Sequence, residues 1–532
     1  MTRTKQAPPQ AQPTTAQQLG SLVKSARDIM RKDKGLSGDL DRLPMLTWIM
    51  FLKFLDDLEQ IEASRAKLGK TRYRSSIEPP YRWRDWAANE SGVTGPELLA
   101  FIQHEECTRP DGTKGPGLFA YLRNLGNGNG RGTAVSRRRV IATVFSGVQN
   151  RMTSGYLLRD VINKVNGIHF LAKDELFTLG SLYESMLKEM RDAAGDNGEF
   201  YTPRAVVRFM VAVLDPQLGE IILDPACGTG GFLVETFAHL EKQCQTVQHR
   251  RTLQDESIFG GEAKPLPYLL CQMNLLLHGL EAPNIDPLNS LRHRLSELGD
   301  KDRVDIILTN PPFGGEEERG ILGNFPDDKQ TAETALLFLQ LIMRKLRRRG
   351  TPAGNGKPST GGRAAVVVPN GTLFGDGVCA RIKAELLRDF NLHTIVRLPN
   401  GVFAPYTSIP TNLLFFDRSG PTKDIWYYEQ PLPEGRKQFT KTAPLQFEEF
   451  ADCLKWWPKR KENDRAWKVK AADVLKADAD GSVVSVNLDV KNPRGAPDLE
   501  HLPPEQLVAD ILTKEQRIVE IVGEIKAVLG RS

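Results

Sequence analysis

The chain has 532 residues, a formal net charge of +5, 40% hydrophobic and 26% charged residues. That length exceeds one ordinary domain and predicts two or three, in the composition of a soluble globular protein. The mildly basic balance leaves phosphate affinity to a local cleft or a partner, and six cysteines without a Cys-x-x-Cys pair or a nearby histidine at ligand spacing exclude a zinc ribbon and a disulfide framework.

Residues 1–18, rich in Gln, Pro and Thr, read as a disordered tail. A helical domain is expected over 19–170. Leu19, Leu22, Val23, Ala26, Ile29 and Met30 share one helical face, and Met45–Ile61 continues the theme. Its most apolar run, Met45–Leu55, is broken by Lys53 and is too short to span a bilayer, so no membrane and a cytoplasmic location are expected. Thr108–Gly117 and Gly126–Gly132 are loops. Leu179–Ala193 predicts a helix entering a turn at 195–198.

From Gly198 short apolar runs alternate with helical stretches. The predicted strands are Ile221–Leu223, Ile258–Gly260, Val304–Leu308, Ala364–Val368, Thr394–Leu398 and Leu413–Phe416. Helices are predicted at Gly231–Lys242, Leu266–His278, Thr331–Arg348 and Arg381–Phe390. This alternation predicts an α/β domain over 171–430, a doubly wound, largely parallel sheet. Thr351–Gly362 is a Gly/Pro/Ser/Thr loop. Residues 431–504 read as an irregular extension, and 505–532 as an amphipathic helix that docks on its own chain or on a partner.

Three motifs carry chemistry. In Asp224-Pro225-Ala226-Cys227-Gly228-Thr229-Gly230-Gly231-Phe232 a strand ends at an acid and a Gly-rich turn opens a helix. The glycine spacing is not that of a dinucleotide loop, which favours a ligand without phosphates. Glu262 ends the second strand, where an acid accepts from ribose hydroxyls. The third motif, Asn310-Pro311-Pro312-Phe313, follows the strand Val304–Leu308. Its prolines hold an extended turn without backbone donors. An exocyclic amine is a poor nucleophile because its lone pair is delocalised into the ring. The Asn310 side-chain oxygen and the Pro311 carbonyl are placed to accept both of its N–H groups, and Phe313 to stack on a flipped base.

These motifs together resemble the gamma class of N6-adenine DNA methyltransferases. Gly198-Glu199-Phe200-Tyr201-Thr202-Pro203-Arg204 is similar to that class's upstream cofactor motif. With the helical N-terminal region, Val366–Gly371, Leu398–Phe403 and Thr407–Asn412, most of the chain resembles the modification subunit of type I restriction-modification systems. The resemblance implies S-adenosylmethionine as cofactor, with Gly228 among its binding residues and Glu199, Phe200, Tyr201, Thr202, Pro203, Arg204, Thr229, Gly230 and Gly231 on its methionine and sulfonium side. It also implies Asp224 on the loop and the cofactor amine, Glu262 on the ribose, and Asn310, Pro311, Pro312 and Phe313 around the target base. Asn289 stands where the family often has an acid. The implied partners are double-stranded DNA, a specificity subunit shared by two such chains, and a restriction subunit. The C-terminal helix is a candidate contact to the specificity subunit.

Direct methyl transfer needs neither a covalent nucleophile nor a metal. Three other readings use the same residues: N4-cytosine methylation, protein-glutamine methylation, and a scaffold that binds cofactor and transfers nothing. Basic clusters at Arg137–Arg139, Arg344–Arg349 and Lys459–Lys461, the last beside Trp456, Trp457 and Trp467, are either phosphate contacts or solvated faces.

Overall fold

The computed structural model describes residues 16–70, 72–127, 133–168, 202–313, 315–351, 359–404, 407, 409–440 and 442–494, with Glu515, Gln516 and Ile521. The expected helix at 179–193, that at 505–529 apart from Glu515, Gln516 and Ile521, most of the 351–362 loop, and Glu199, Phe200 and Tyr201 lie outside the described residues.

The N-terminal part is helical: α1 (Ala16–Met30), α2 (Asp39–Leu68), α3 (Gly95–Gln103), α4 (Leu118–Asn124), α5 (Thr133–Ser146) and α6 (Gly155–Asn166). The stripe read from α1 buries Ala26 and Met30, and Leu22, Val23 and Ile29 pack beside them. α6 follows the same rule through Leu158, Val161, Ile162 and Val165, and Ser154 caps its start by accepting from the Leu157 N–H at 3.3 Å. Asp33, 3% exposed, ties the end of α1 to the start of α6. Its carboxylate accepts from the N–H groups of Gly35 (2.8 Å) and Ser154 (2.9 Å) and from the N–H and hydroxyl of Thr153. Burial works to raise this carboxyl, but those donors outweigh it and hold it below the ordinary value.

The rest is built on one sheet: β1 (Ile222–Asp224), β2 (Ile258–Gly261), β3 (Asn284–Asp286), β4 (Ile306–Thr309), β5 (Arg363–Pro369), β6 (Asn391–Arg397), β7 (Thr411–Asp417), β8 (Asp424–Glu429) and β9 (Ala466–Lys470). Across the sheet the order is β9-β8-β6-β7-β5-β4-β1-β2-β3. From β3 to β5 all neighbours are parallel. β7 then inserts antiparallel between β5 and β6, β8 is parallel to β6, and β9 closes the edge antiparallel. The sheet is therefore mixed beyond β5.

Side chains alternate between two cores, as a doubly wound sheet requires. Ile306 and Leu308 face one side, Ile307 the other. Leu413 and Phe415 likewise oppose Leu414 and Phe416. The first side is covered by α7 (Arg204–Leu214), α8 (Gly231–Glu241) and α10 (Pro265–Leu277), with α9 (Val247–Asp255) between the last two in sequence. The second is covered by α11 (Thr334–Lys345) and α12 (Val378–Asp389). α10 also packs on α2 and α5, so the helical domain shares the first core.

The structure corrects the sequence reading in two places. The strands do not stop at Phe416, because β8 and β9 extend the sheet and Trp467 in β9 stacks on Tyr427 at 5.2 Å. The basic clusters are largely occupied internally. Arg137 binds Glu62 through both terminal nitrogens (2.9 and 3.0 Å), Arg138 binds Glu78 (2.8 Å), and Arg347 binds Asp305 (2.7 Å). Arg460 lies over the Trp457 ring at 4.8 Å, and Trp457 packs on Phe209 and Phe415. Trp456 and Trp467 are buried, and Trp457 packs half-buried against the first core.

Candidate active site

From β1 the chain passes to β2 on one side, and later to β4 on the other. The ends of β1 and β4 therefore diverge, and a crevice forms at this switch point. It is a cleft of about 330 Å³. Of the residues singled out from sequence, Thr202, Arg204, Asp224, Gly228, Thr229 and Gly231 line it from the Gly-rich side. Glu262, Asn289, Asn310 and Pro312 line it from the other strand ends. Pro203, Gly230, Pro311 and Phe313 are not part of this lining. Pro203 precedes α7 and Gly230 precedes α8, whereas the Phe313 ring meets Phe403 at 6.2 Å and 61°.

Asp224 ends β1, 1% exposed, and accepts from the Ala226 N–H at 3.2 Å. Burial pushes its carboxyl up to about 7, against the pull of the Thr309 side chain and the Ala226 N–H. Glu262, 8% exposed, accepts from the Gly228 N–H at 3.0 Å with one oxygen and from the Lys264 N–H at 2.8 Å with the other. Burial raises this carboxyl too. Each oxygen keeps acceptor capacity for a ligand hydroxyl.

The loop between β1 and α8 needs its glycines. Gly228 and Gly230 have φ of +53° and +81°. A Cβ on Gly230 would also lie 2.8 Å from the Cys271 sulfur. Arg204 donates to the Gly231 carbonyl at 2.8 Å, so the upstream motif is tied to the loop. Asn289 accepts from the Leu291 N–H at 2.9 Å and donates to Glu317 at 3.2 Å, which fills the place of the missing acid with an amide and brings a carboxylate beside it.

Asn310 holds the most telling atom. The residue lines the cleft, and its side-chain oxygen is buried with no hydrogen-bond partner among the described residues. Such an acceptor costs free energy unless a ligand donor meets it.

The sequence reading missed Lys264, Ser290, Glu316, Glu317, Thr334 and Phe338, which also line the cleft. The acidic run Glu316–Glu318, two glycines after Asn310–Phe313, was the available signal. Asp224, Glu262, Glu316 and Glu317 face Arg204 and Lys264 in the cleft, a balance that favours a cationic ligand over a phosphate. Among the described residues no group of three or more His, Cys, Asp or Glu is placed to hold a metal, and no helix is long and apolar enough to cross a membrane.

Comparison with known proteins agrees with this geometry. Residues 174–492 match the N-6 DNA Methylase family, and residues 19–110 match the HsdM N-terminal domain. The type I restriction enzyme EcoEI methylase subunit of Escherichia coli is 45% identical over 524 residues, covering 96% of this chain and 98% of that one. A crystal structure assigned to a modification subunit of a type I restriction enzyme from Vibrio vulnificus YJ016 is 69% identical, with a TM-score of 0.86 over 92% of this chain and 100% of that one. A chain from a structure of type I restriction-modification complex assembly is 38% identical, with a TM-score of 0.72 over 98% of this chain and all of the other (100%). The mixed α/β sheet, its motif-bearing cleft and these relatives place the chain in the family of type I restriction enzyme methylase subunits, as an adenine N6 DNA methyltransferase.

Proposed function

We propose that the cleft takes S-adenosylmethionine and that the target adenine enters beside Asn310. The observation that carries this is the orphaned Asn310 oxygen, in one cleft with the loop after Asp224 and with Glu262. The residues fit such a cofactor: carboxylates for its cationic groups, Glu262 for its ribose, and, among the described residues, no phosphate cradle. Bound there, it supplies a methyl group on a positively charged sulfur.

The chain's own residues do the rest. Asp224 anchors the loop and the cofactor amine. Thr202, Pro203, Arg204, Gly228, Thr229, Gly230 and Gly231, continued by Glu199, Phe200 and Tyr201, form the methionine side. Asn289 closes the adenine side together with Glu317. Asn310 and the Pro311 carbonyl accept the two N–H groups of the flipped adenine, which localises the lone pair on N6. Pro312 keeps the turn extended, and Phe313, backed by Phe403, stacks on the base. Positioning accounts for most of the rate.

The pH dependence follows from Asp224. Its carboxyl, raised to about 7, ionises across the neutral range, and a cationic ligand prefers the ionised form. Cofactor affinity therefore rises with pH, by about tenfold from pH 6 to pH 8. By the same linkage, this group's contribution to stability of the free protein falls as pH rises from the ordinary aspartate range to about 7. Calorimetric titration with S-adenosylmethionine at both pH values checks the first statement, and Asp224→Asn removes the slope. An equal slope in that variant would show that another group is responsible.

We further propose that the active assembly holds two of these chains on one specificity subunit, which reads double-stranded DNA, and that a restriction subunit joins the full complex. The chain is incubated with tritiated S-adenosylmethionine and DNA, with and without the specificity subunit, and the DNA is digested to nucleosides. Label in N6-methyladenine only with the partner is the expected result. Label without it would mean that this chain reads DNA itself.

A further inference from the structure

α10 carries Asn274 in its interior, 0% exposed and flanked by the buried Met273 and Leu275. Asparagine is a weak helix former, and a buried amide is costly unless its groups are paired. Only one end is paired here. Nδ2 donates to the Thr229 carbonyl at 2.8 Å, whereas Oδ1 has no partner among the described residues. A leucine would fill a similar volume without that orphan, so the bond to Thr229 is what the amide adds.

Thr229 lines the cleft. Its carbonyl belongs to the peptide that joins it to Gly230, whose N–H returns to the Cys227 carbonyl at 2.7 Å. One residue earlier, the Gly228 N–H is taken by Glu262 at 3.0 Å. The loop is thus gripped between two buried side chains, an acceptor from the end of β2 and a donor from α10.

We infer that Asn274 is a positioning residue for the cofactor loop, fixing the Thr229–Gly230 peptide before the ligand arrives. This rests on the reading that the cleft takes S-adenosylmethionine. Loss of preorganisation weakens ligand binding, while the saturated complex, once formed, reacts as before.

The full chain and Asn274→Leu are titrated with S-adenosylmethionine by calorimetry. The expected result is a Kd raised about tenfold, the equivalent of one hydrogen bond, with kcat on DNA at saturating cofactor within about twofold. N274D gives a readout that a packing role would not move. A protonated carboxyl can donate to the Thr229 carbonyl and an ionised one cannot. The ratio of N274D to wild-type affinity therefore approaches one as pH falls, while the N274L ratio stays flat. A wild-type chain that binds with N274L equal to it overturns the inference and leaves the cleft reading standing. A wild-type chain that binds no S-adenosylmethionine, alone or with the specificity subunit, overturns both. Should N274L fail to fold, a pH-independent N274D ratio overturns the inference.

Discussion

Asn310→Ala lowers kcat for adenine methylation about 10³-fold, the scale seen when one preorganised polar contact to a reacting group is removed. The cofactor Kd stays within about twofold, because the bonds that shape the cofactor loop run through Glu262, Arg204 and Asn274 rather than Asn310. The orphaned oxygen explains the direction of both effects. Among the described residues it has no partner to lose, so its removal does not disturb the fold, and the free protein sheds a buried unpaired acceptor. Thermal unfolding of the variant is therefore unchanged or slightly improved, while turnover collapses. A variant that keeps more than a tenth of wild-type kcat would move the amine-binding role to another residue.

Arg137→Ala is the second large effect, and it falls on stability. The guanidinium, 4% exposed, holds Glu62 of α2 by two bonds and donates to the Glu281 carbonyl just beyond α10 at 3.3 Å. It therefore joins the helical domain to the methyltransferase domain at the point where their core is shared. Removing it strands Glu62, and Glu59 at 2% exposure beside it, without their cation. Breaking a buried pair from one side costs about 3–5 kcal/mol. Urea unfolding reads this loss directly. The double variant Arg137→Ala with Glu62→Ala recovers part of it, because the uncompensated carboxylate is gone. A loss below about 1 kcal/mol would place the pair among surface ion pairs instead.

The alternatives that the residues alone left open are closed by the family. Cytosine N4 and protein glutamine share the planar-amine chemistry of Asn310–Phe313, so no argument from that loop separates them. The match over 174–492 to N-6 DNA Methylase, joined to an N-terminal domain match over 19–110, does.

The amino-acid sequence by itself determined the elements whose signal is local. The α1 stripe, the strands at the centre of the sheet and the motifs at their C-terminal ends are legible because period and turn chemistry are written within a few residues. Strand type followed from burial on both faces, and Asp224, Glu262 and Asn310 could be singled out because a doubly wound sheet puts its ligand at strand ends. The tertiary structure decided the rest. Nothing local told β7 to insert antiparallel between β5 and β6, or β9 to close the edge from beyond residue 460, since strand partners are chosen across long stretches of chain. The basic residues of 137–139 look like phosphate ligands until Glu62 and Glu78 are seen to face them. Asn274 reads, with Gln272, as one of two polar amides on an apolar helix, and only packing of α10 against the loop turns its amide onto Thr229. Periodicity reports which face of an element is buried; what that face meets is set by the three-dimensional packing of elements far apart in sequence.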